Sequence, residues 1–280
     1  MLLAAATSVL WAVQSFSVKR TVNAGITRRD YFFYCCVFII PFAAVIQIFT
    51  PFYFKFGYEL AILFAVSIVL RYGKMATEVS TIQFLAPFES EAYMCLGVVW
   101  AYIIDCVFRI KAFSAIGVIS LFIVLLGVFL IADIKLQIRK LRVNLLLRIF
   151  CDVTLGYITR LALIYCSNAM YILTLNVLIV LIFAWQYKWS YHRGNGRIVK
   201  LIIIQQTLGI FCLFMGNFAA QQSITTYAFI RPLALTLCVI ISFFYNKRAN
   251  RDGRAELRQP KVRDAVAVGC IVAGICLHSL

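Results

Sequence analysis

The feature that most constrains this chain is a series of long apolar runs separated by short charged segments. Apolar residues fill 63% of the 280 positions and charged residues 14%, which is more apolar surface than the core of a soluble domain could bury. Because a helix crosses a bilayer with about 20 apolar residues, we predict an all-α integral membrane protein with about ten transmembrane helices. The predicted helices are 2–18, 31–50, 57–73, 82–104, 112–131, 143–160, 169–187, 198–217, 224–245 and 265–279.

Two features of these runs allow another interpretation. The residues that join the sixth and seventh runs, 161–170, are fairly apolar, so nine helices are an alternative. The first run has no basic residues before it, so we interpret it as a membrane helix rather than a signal peptide.

Landmarks near the start of each half of the sequence have the same spacing. Trp11 precedes Lys19 by eight residues in the first run, and Asp152 precedes Arg160 by the same eight in the sixth. This agreement indicates an internal repeat.

Landmarks near the end of each half agree as well. Pro87 lies 40 residues before Gly127, and Pro232 lies 42 residues before Gly274. Small residues let helix backbones approach closely in lipid. They recur seven apart in the closing helix of each half, as Ser120 with Gly127 and Ala267 with Gly274.

Together the landmarks predict two repeats of five helices, residues 1–141 and residues 142–280. An odd number of helices per repeat gives the repeats opposite orientations, which is the inverted plan of many secondary transporters. We expect helices one, three, four, six, eight and nine to enclose one cavity near the bilayer midplane.

Lysine and arginine fall mainly in alternate loops. With Arg71 and Lys74 assigned to the loop after the third helix, loops after odd-numbered helices hold 21 basic residues and the others hold 3. Basic loops stay in the cytoplasm, so we predict that both termini face outward. The same dispersion argues against a nucleic-acid partner despite the net charge of +16.

Several segments resemble the EamA-type transporters of the drug/metabolite transporter superfamily. They are LLAAATSVLWAVQSFSVKR at the start, FLAPF, DCVFRIK and AIGVISLFIVLLGVFLI in the first half, and FIRPLALTLCVII and AVGCIVAGICL in the second. The resemblance covers nearly the whole chain and implies ten helices in two repeats and a carrier of small solutes. Asp105 stands in a turn where the family usually has a glutamate. The family's commonest orientation has both termini inside, and here we follow the charge count instead.

Charged groups at bilayer depth are costly unless paired or hydrated, which makes them candidates for function. Glu89 shares a helix face with Tyr93, whereas Glu91 points about 200° away, so both cannot face one cavity. We predict that Glu89 binds substrate or couples a proton to transport, with Asp152 as the next candidate. The alternative places both glutamates among hydrated headgroups.

Other candidates for substrate binding or coupling lie at matching depths. Arg148 and Asp152 are four residues apart and are predicted to form a static ion pair, the alternative being that Asp152 exchanges partners. The cationic residues Arg71, Lys74 and Arg231 favour an anionic group. The polar and aromatic candidates are Trp11, Gln14, Asn217 and Gln221.

We predict a secondary transporter that moves a small metabolite or drug-like solute across the plasma membrane by alternating access. The alternatives are a carrier of an anionic or nucleotide-sugar-like solute, a non-transporting scaffold or sensor, and an intramembrane enzyme. We find no glycine-rich phosphate loop, paired-histidine motif or nucleophile elbow, so we predict no enzyme activity, metal or cofactor. The expected partners are a small-molecule substrate and the lipid bilayer, and a homodimer is compatible with this interpretation.

Overall fold

A computed structural model describes residues 2–85, 87–110, 112–131, 139–184, 196–251 and 261–278. Every regular element among these residues is a helix, and one isolated bridge, between Phe54 and Cys166, joins two loops. The helices are α1 (Leu2–Asn23), α2 (Arg28–Ile48), α3 (Tyr58–Ile82), α4 (Pro87–Met94), α5 (Gly97–Val107), α6 (Ala115–Ile131), α7 (Arg139–Ala162), α8 (Asn168–Ala184), α9 (Gly196–Gln222), α10 (Ile224–Arg251) and α11 (Val262–His278).

Within the described residues, each of the ten predicted runs is helical. The fourth run is interrupted at Cys95 and Leu96, whose amide groups donate to carbonyl groups three residues earlier. Helices α4 and α5 nevertheless form one apolar span, Pro87–Val107. The sixth and seventh runs are separate helices, α7 and α8, so the nine-helix alternative is wrong.

Polar and apolar side chains are distributed as in a protein surrounded by lipid. Large apolar side chains face outward, among them Val69, Phe122 and Leu146, each more than 60% exposed. Arg148 and Asp152 are buried instead. Such an arrangement, with charge inside and hydrocarbon outside, is consistent with a membrane location. Four described helical spans are long and apolar enough to cross a membrane: Asp30–Ile48, Tyr58–Ile82, Pro87–Val107 and Gly196–Gln222.

Helix α3 is longer than predicted, because it continues to Ile82 rather than ending near residue 73. Arg71 and Lys74 therefore lie within the helix, and assigning them to a loop was wrong. Their charges resembled the end of a membrane span, but both side chains line an interior cavity. Without these two, the basic residues in the same loops and at the adjoining helix ends number 19, against 3 for the other loops. Parts of the basic loops after the fifth, seventh and ninth predicted helices lie outside the described residues.

Helices of the first half pack mainly on helices of the second half. Helix α6 lies against α11, α3 against α7, α1 against α9, and α2 against α8. Helix α10 contacts α1, α4 and α5. The two halves are thus interleaved into one bundle rather than set side by side.

Helices α6 and α11 approach closely because each presents a glycine to the other's backbone. A Cβ atom added at Gly127 would lie 2.6 Å from the carbonyl oxygen of Ala267, and one added at Gly274 would lie 2.8 Å from that of Ser120. Both distances are shorter than real Cβ contacts, so neither position accepts a side chain without movement. The small residues noted in the sequence therefore meet in one contact, which we call the α6–α11 seam.

Two basic side chains cap the carboxyl ends of long helices. The Lys19 ammonium group, near the end of α1, donates to the carbonyl oxygen of Ile82 at the end of α3, 2.6 Å away. The Arg160 guanidinium, near the end of α7, donates to the carbonyl oxygens of Ala220, at 3.3 Å, and Gln221, at the end of α9. Both contacts satisfy carbonyl groups that have no partner within their own helix.

Asp105 caps the start of α10 from the end of α5. Its carboxylate is fully buried and accepts hydrogen bonds from the backbone amides of Ile224 and Thr225 at 3.0 and 2.8 Å. A negative charge at a helix amino terminus also interacts favourably with the helix dipole. The sequence placed Asp105 in the turn after the fourth span, but it lies within the helix of that span, near the end of α5, and from there it fixes the position of α10.

Candidate functional site

A cavity of about 90 Å³ lies within the bundle. Its lining comes from all six of the predicted spans (α1, α3, α4, α7, α9 and α10), and α2 contributes as well. This volume has room for about three water molecules, far less than the several hundred Å³ of a typical ligand pocket. The cavity is therefore narrow, and its polar side chains mostly contact one another.

Arg231 joins carboxylates from both halves of the chain. Its Nη1 atom lies 3.0 Å from Oε2 of Glu91 on α4, and its Nη2 atom lies 2.8 Å from Oδ2 of Asp152 on α7. The Trp11 ring covers the guanidinium carbon at 4.0 Å, which adds a cation–π contact. These partners explain how a guanidinium that is only 5% exposed remains charged inside the bundle.

Asp152 has three polar neighbours, one on α3 and two on α10. Lys74 on α3 and Arg231 on α10 form ion pairs with its two oxygens, and the Tyr227 hydroxyl lies 3.4 Å from Oδ1. Two cations and two carboxylates, Lys74, Glu91, Asp152 and Arg231, thus form one electrically balanced group. We call these four residues the central cluster.

Arg148 belongs to a second ionic group beside the central cluster. Its guanidinium lies 2.7 Å from Oε1 of Glu78, 2.9 Å from the hydroxyl of Ser90 and 3.3 Å from that of Thr81. The predicted Arg148–Asp152 ion pair is therefore wrong. Although the two residues are spaced for contact on one helix, each finds a partner on another helix instead.

The side of the cavity built by α1 and α9 carries no charge among its described lining residues. It presents Gln14 and Ser15 from α1, and Gln205 and Gln206 from α9. The Ser15 hydroxyl donates to Oε1 of Glu91 at 2.7 Å, which completes the partners of that carboxylate. We call this side the neutral wall, and we call the side built by α3 and α7 the charged wall.

Five of the predicted site residues belong to this region. Trp11, Gln14, Arg71 and Arg231 line the cavity, and Asp152 lies behind it in the central cluster. Matching depth in the two halves was the signal that singled out Trp11 and Asp152, and the structure brings both to Arg231.

The other four predicted site residues lie elsewhere. Glu89 is buried outside the cavity lining, whereas Glu91 lines the cavity. Tyr93 packs in a small apolar cluster, and Asn217 donates a 2.7 Å hydrogen bond to Asn168 on α8. Gln221 is exposed at the end of α9, where its carbonyl accepts from Arg160.

The sequence reasoning missed Glu78, Gln205 and Gln206. Arg71, Lys74 and Glu78 have the spacing i, i+3 and i+7, which places them on one face of a helix. That signal was hidden because α3 was predicted to end near residue 73. The adjacent glutamines stand out as a polar pair within the apolar run of α9.

Comparisons with known proteins identify the fold but no family. No family model and no curated protein matches the sequence. Among solved structures, 26 chains match. One of them, described only as "Crystal structure of protein", has a TM-score of 0.62 and 13% identity, with 99% of this chain and 94% of that chain covered. At this identity the similarity shows a shared fold over nearly the whole length.

Proposed function

We propose that the chain is a secondary transporter that moves a small solute through the central cavity by alternating access. The observation that carries this proposal is the central cluster, in which buried charges from both halves meet at a narrow interior cavity. Ionisable groups inside a membrane protein are costly and typically mark the path of a substrate or ion.

We also propose that the bundle consists of two inverted repeats. With α4 and α5 counted as one span, the described residues form ten spans, and a twofold relation exchanges span one with span six, span two with span seven, and so on. Under this exchange the contact between α3 and α7 becomes the contact between α9 and α1. The α6–α11 and α2–α8 contacts convert into themselves. A set of contacts that is unchanged by this exchange supports a pseudo-twofold relation between the halves.

Individual residues support the same relation. Gly127 and Gly274 are 147 positions apart and make reciprocal contacts across the α6–α11 seam. Lys19 on α1 caps α3, and Arg160, which lies 141 positions later on α7, caps α9. The exchange converts the first of these contacts into the second. A half-turn about an axis in the membrane plane should therefore superpose the two halves.

The central cluster suggests how opening could be coupled to the solute. Arg231 ties Glu91 on α4 to Asp152 on α7, so separating these helices breaks at least one buried ion pair. An isolated buried charge costs several kcal/mol, so opening requires water or a solute to replace the lost partner. Partner exchange within the cluster would then accompany each opening.

We propose the cell membrane as the location, with both termini outside the cytoplasm. The support is the excess of basic residues in alternate loops, 19 against 3. Ala24 and Phe52 are exposed at opposite ends of α2. In intact cells, an impermeant thiol reagent should label Phe52→Cys and spare Ala24→Cys. The reverse pattern would invert the orientation.

A transport assay tests the proposed function. A panel of metabolites would be screened for thermal stabilisation of the purified protein, and each hit would be tested for counterflow in proteoliposomes. Asp152→Asn keeps the side-chain shape but removes the charge, and we expect it to slow exchange at least about tenfold, or 1.4 kcal/mol. The control is Glu59→Gln, an exposed carboxylate at the start of α3. If Asp152→Asn exchanges solute as fast as the control, the cluster has no part in transport.

A further inference from the structure

The charges around the cavity do not cancel. Four cationic side chains line it, and the carboxylates that pair with them number three. The cations are Arg71, Lys74, Arg148 and Arg231, and the carboxylates are Glu78, Glu91 and Asp152. One positive charge is therefore left over among these seven groups; Glu89 is buried on α4 outside the cavity lining and forms no described ion pair with them.

The residual charge belongs to Arg71 on α3. Its side chain is 7% exposed and lines the cavity, yet no described carboxylate lies within ion-pair distance of it. Its polar neighbour is the thiol of Cys36 on α2, and its Nε–H group has no hydrogen-bond partner. A buried guanidinium in this condition is costly, because an arginine remains charged wherever it is placed.

Most of the buried side-chain atoms at the cavity that lack a hydrogen-bond partner are donors. The Nε–H groups of Arg71, Arg148 and Arg231 all lack partners among the described residues. Guanidinium groups present planar donors that match the two oxygens of a carboxylate or the oxygens of a phosphate. The missing partner therefore has the chemistry of an oxyanion.

We infer that the cavity binds the oxyanion group of a small solute, a carboxylate or phosphate, with Arg71 as its principal ligand. This inference rests on the proposed transport function and specifies its substrate class. Binding of a monoanion balances the residual charge without disturbing the central cluster, whose four members already neutralise one another. A cationic solute would instead add to the excess and compete for carboxylates that are already paired.

The inference is tested by thermal unfolding of the full chain in detergent at low chloride. Lactate is compared with lactamide, its neutral analogue of nearly equal size, with ethanolamine as a small cation and inorganic phosphate as a second anion. We expect an anion in hundredfold excess over its dissociation constant to raise the unfolding midpoint by about 5 °C, with no rise for lactamide or ethanolamine. Arg71→Gln should abolish the rise. Arg197→Gln, an exposed arginine at the start of α9, should retain it.

Each outcome decides the inference. Equal stabilisation of wild type and Arg71→Gln by anions overturns it, as does stabilisation by lactamide or ethanolamine but by neither anion. The absence of any anion effect on the wild-type protein also overturns it. Should Arg71→Gln fail to fold, Arg71→Lys keeps the charge but loses the planar donors, and the inference requires a smaller rise than in wild type. Transport itself is tested separately, by access to the cavity from both membrane sides, so the two proposals can fail independently.

Discussion

The α6–α11 seam and the central cavity are both places where the two halves meet, yet they differ in chemistry. At the seam each half contributes the same kind of residue, and Gly127 and Gly274 make reciprocal contacts. At the cavity the charged wall of α3 and α7 faces the neutral wall of α1 and α9. Helices that only pack can remain alike, whereas a binding site for an asymmetric solute requires different groups on its two sides.

The difference also explains where the chain departs from ordinary membrane-helix composition. Arg71, Lys74 and Glu78 interrupt the apolar pattern of α3, and their neighbours around the cavity include Glu91 and Arg148. The seam has no such interruption, because its stability comes from close backbone approach. Substitutions at the two places should therefore act through different physical effects.

Removing Arg231 should have the largest effect on stability. Arg231→Gln removes the ion pair of Glu91 and one of the two ion pairs of Asp152. We expect the free energy of unfolding to fall by about 3–5 kcal/mol. The free energy of unfolding in detergent or lipid measures this loss. The double variant with Arg231→Gln and Glu91→Gln should recover part of the lost free energy of unfolding, since the second substitution removes the unpaired carboxylate charge. If Arg231→Gln is no worse than Arg197→Gln, the central cluster does not stabilise the fold.

The seam should respond to a single methyl group. Gly274→Ala and Gly127→Ala place a Cβ against backbone, and we expect each to cost about 1–3 kcal/mol. Gly269 lies on the same helix as Gly274 with nothing within 4 Å of its Cβ position, so Gly269→Ala should be neutral or stabilising by up to about 1 kcal/mol. Unequal losses at the two seam positions, one large and one absent, would argue against reciprocal contacts.

The helix-end caps should contribute similar, smaller amounts. Lys19→Gln and Arg160→Gln each weaken hydrogen bonds to terminal carbonyl groups, and we expect losses of about 1 kcal/mol in unfolding free energy. Because the caps act on α3 and α9 in the same way, the pseudo-twofold relation predicts nearly equal values. A loss confined to one variant would show that only one cap is needed.

The smallest expected effect concerns Trp11. Trp11→Phe weakens the cation–π contact with Arg231 and should lower stability by about 0.5–1 kcal/mol. Trp100→Phe is the control, because that ring is partly exposed and packs on Phe150. The same comparison in the Arg231→Gln background should give a smaller difference, since the nearer cation is then absent and Lys74 lies 6.0 Å from the ring centre.

Apolar periodicity was sufficient to predict the helices, because lipid requires long apolar segments with all backbone groups paired internally. It failed at α3, where Arg71 and Lys74 looked like a helix end although Glu78 and other partners hold them inside. It also selected Glu89, whereas Glu91 lines the cavity, since helix geometry separates the directions of the two side chains without saying which one faces inward. Ion-pair partners such as those of Arg148 depend on neighbouring helices, which one sequence does not specify.

Access to the cavity from both sides of the membrane is the most direct test of the central claim. Gln14→Cys places a thiol in the neutral wall, on a background without the ten native cysteines and with unchanged thermal stability. Ala24→Cys and Phe52→Cys report the two opposite surfaces. We predict that an impermeant thiol reagent labels each surface control only in right-side-out or only in inside-out vesicles, but labels Gln14→Cys in both. Labelling of Gln14→Cys from a single side, or from neither, would contradict alternating access through this cavity.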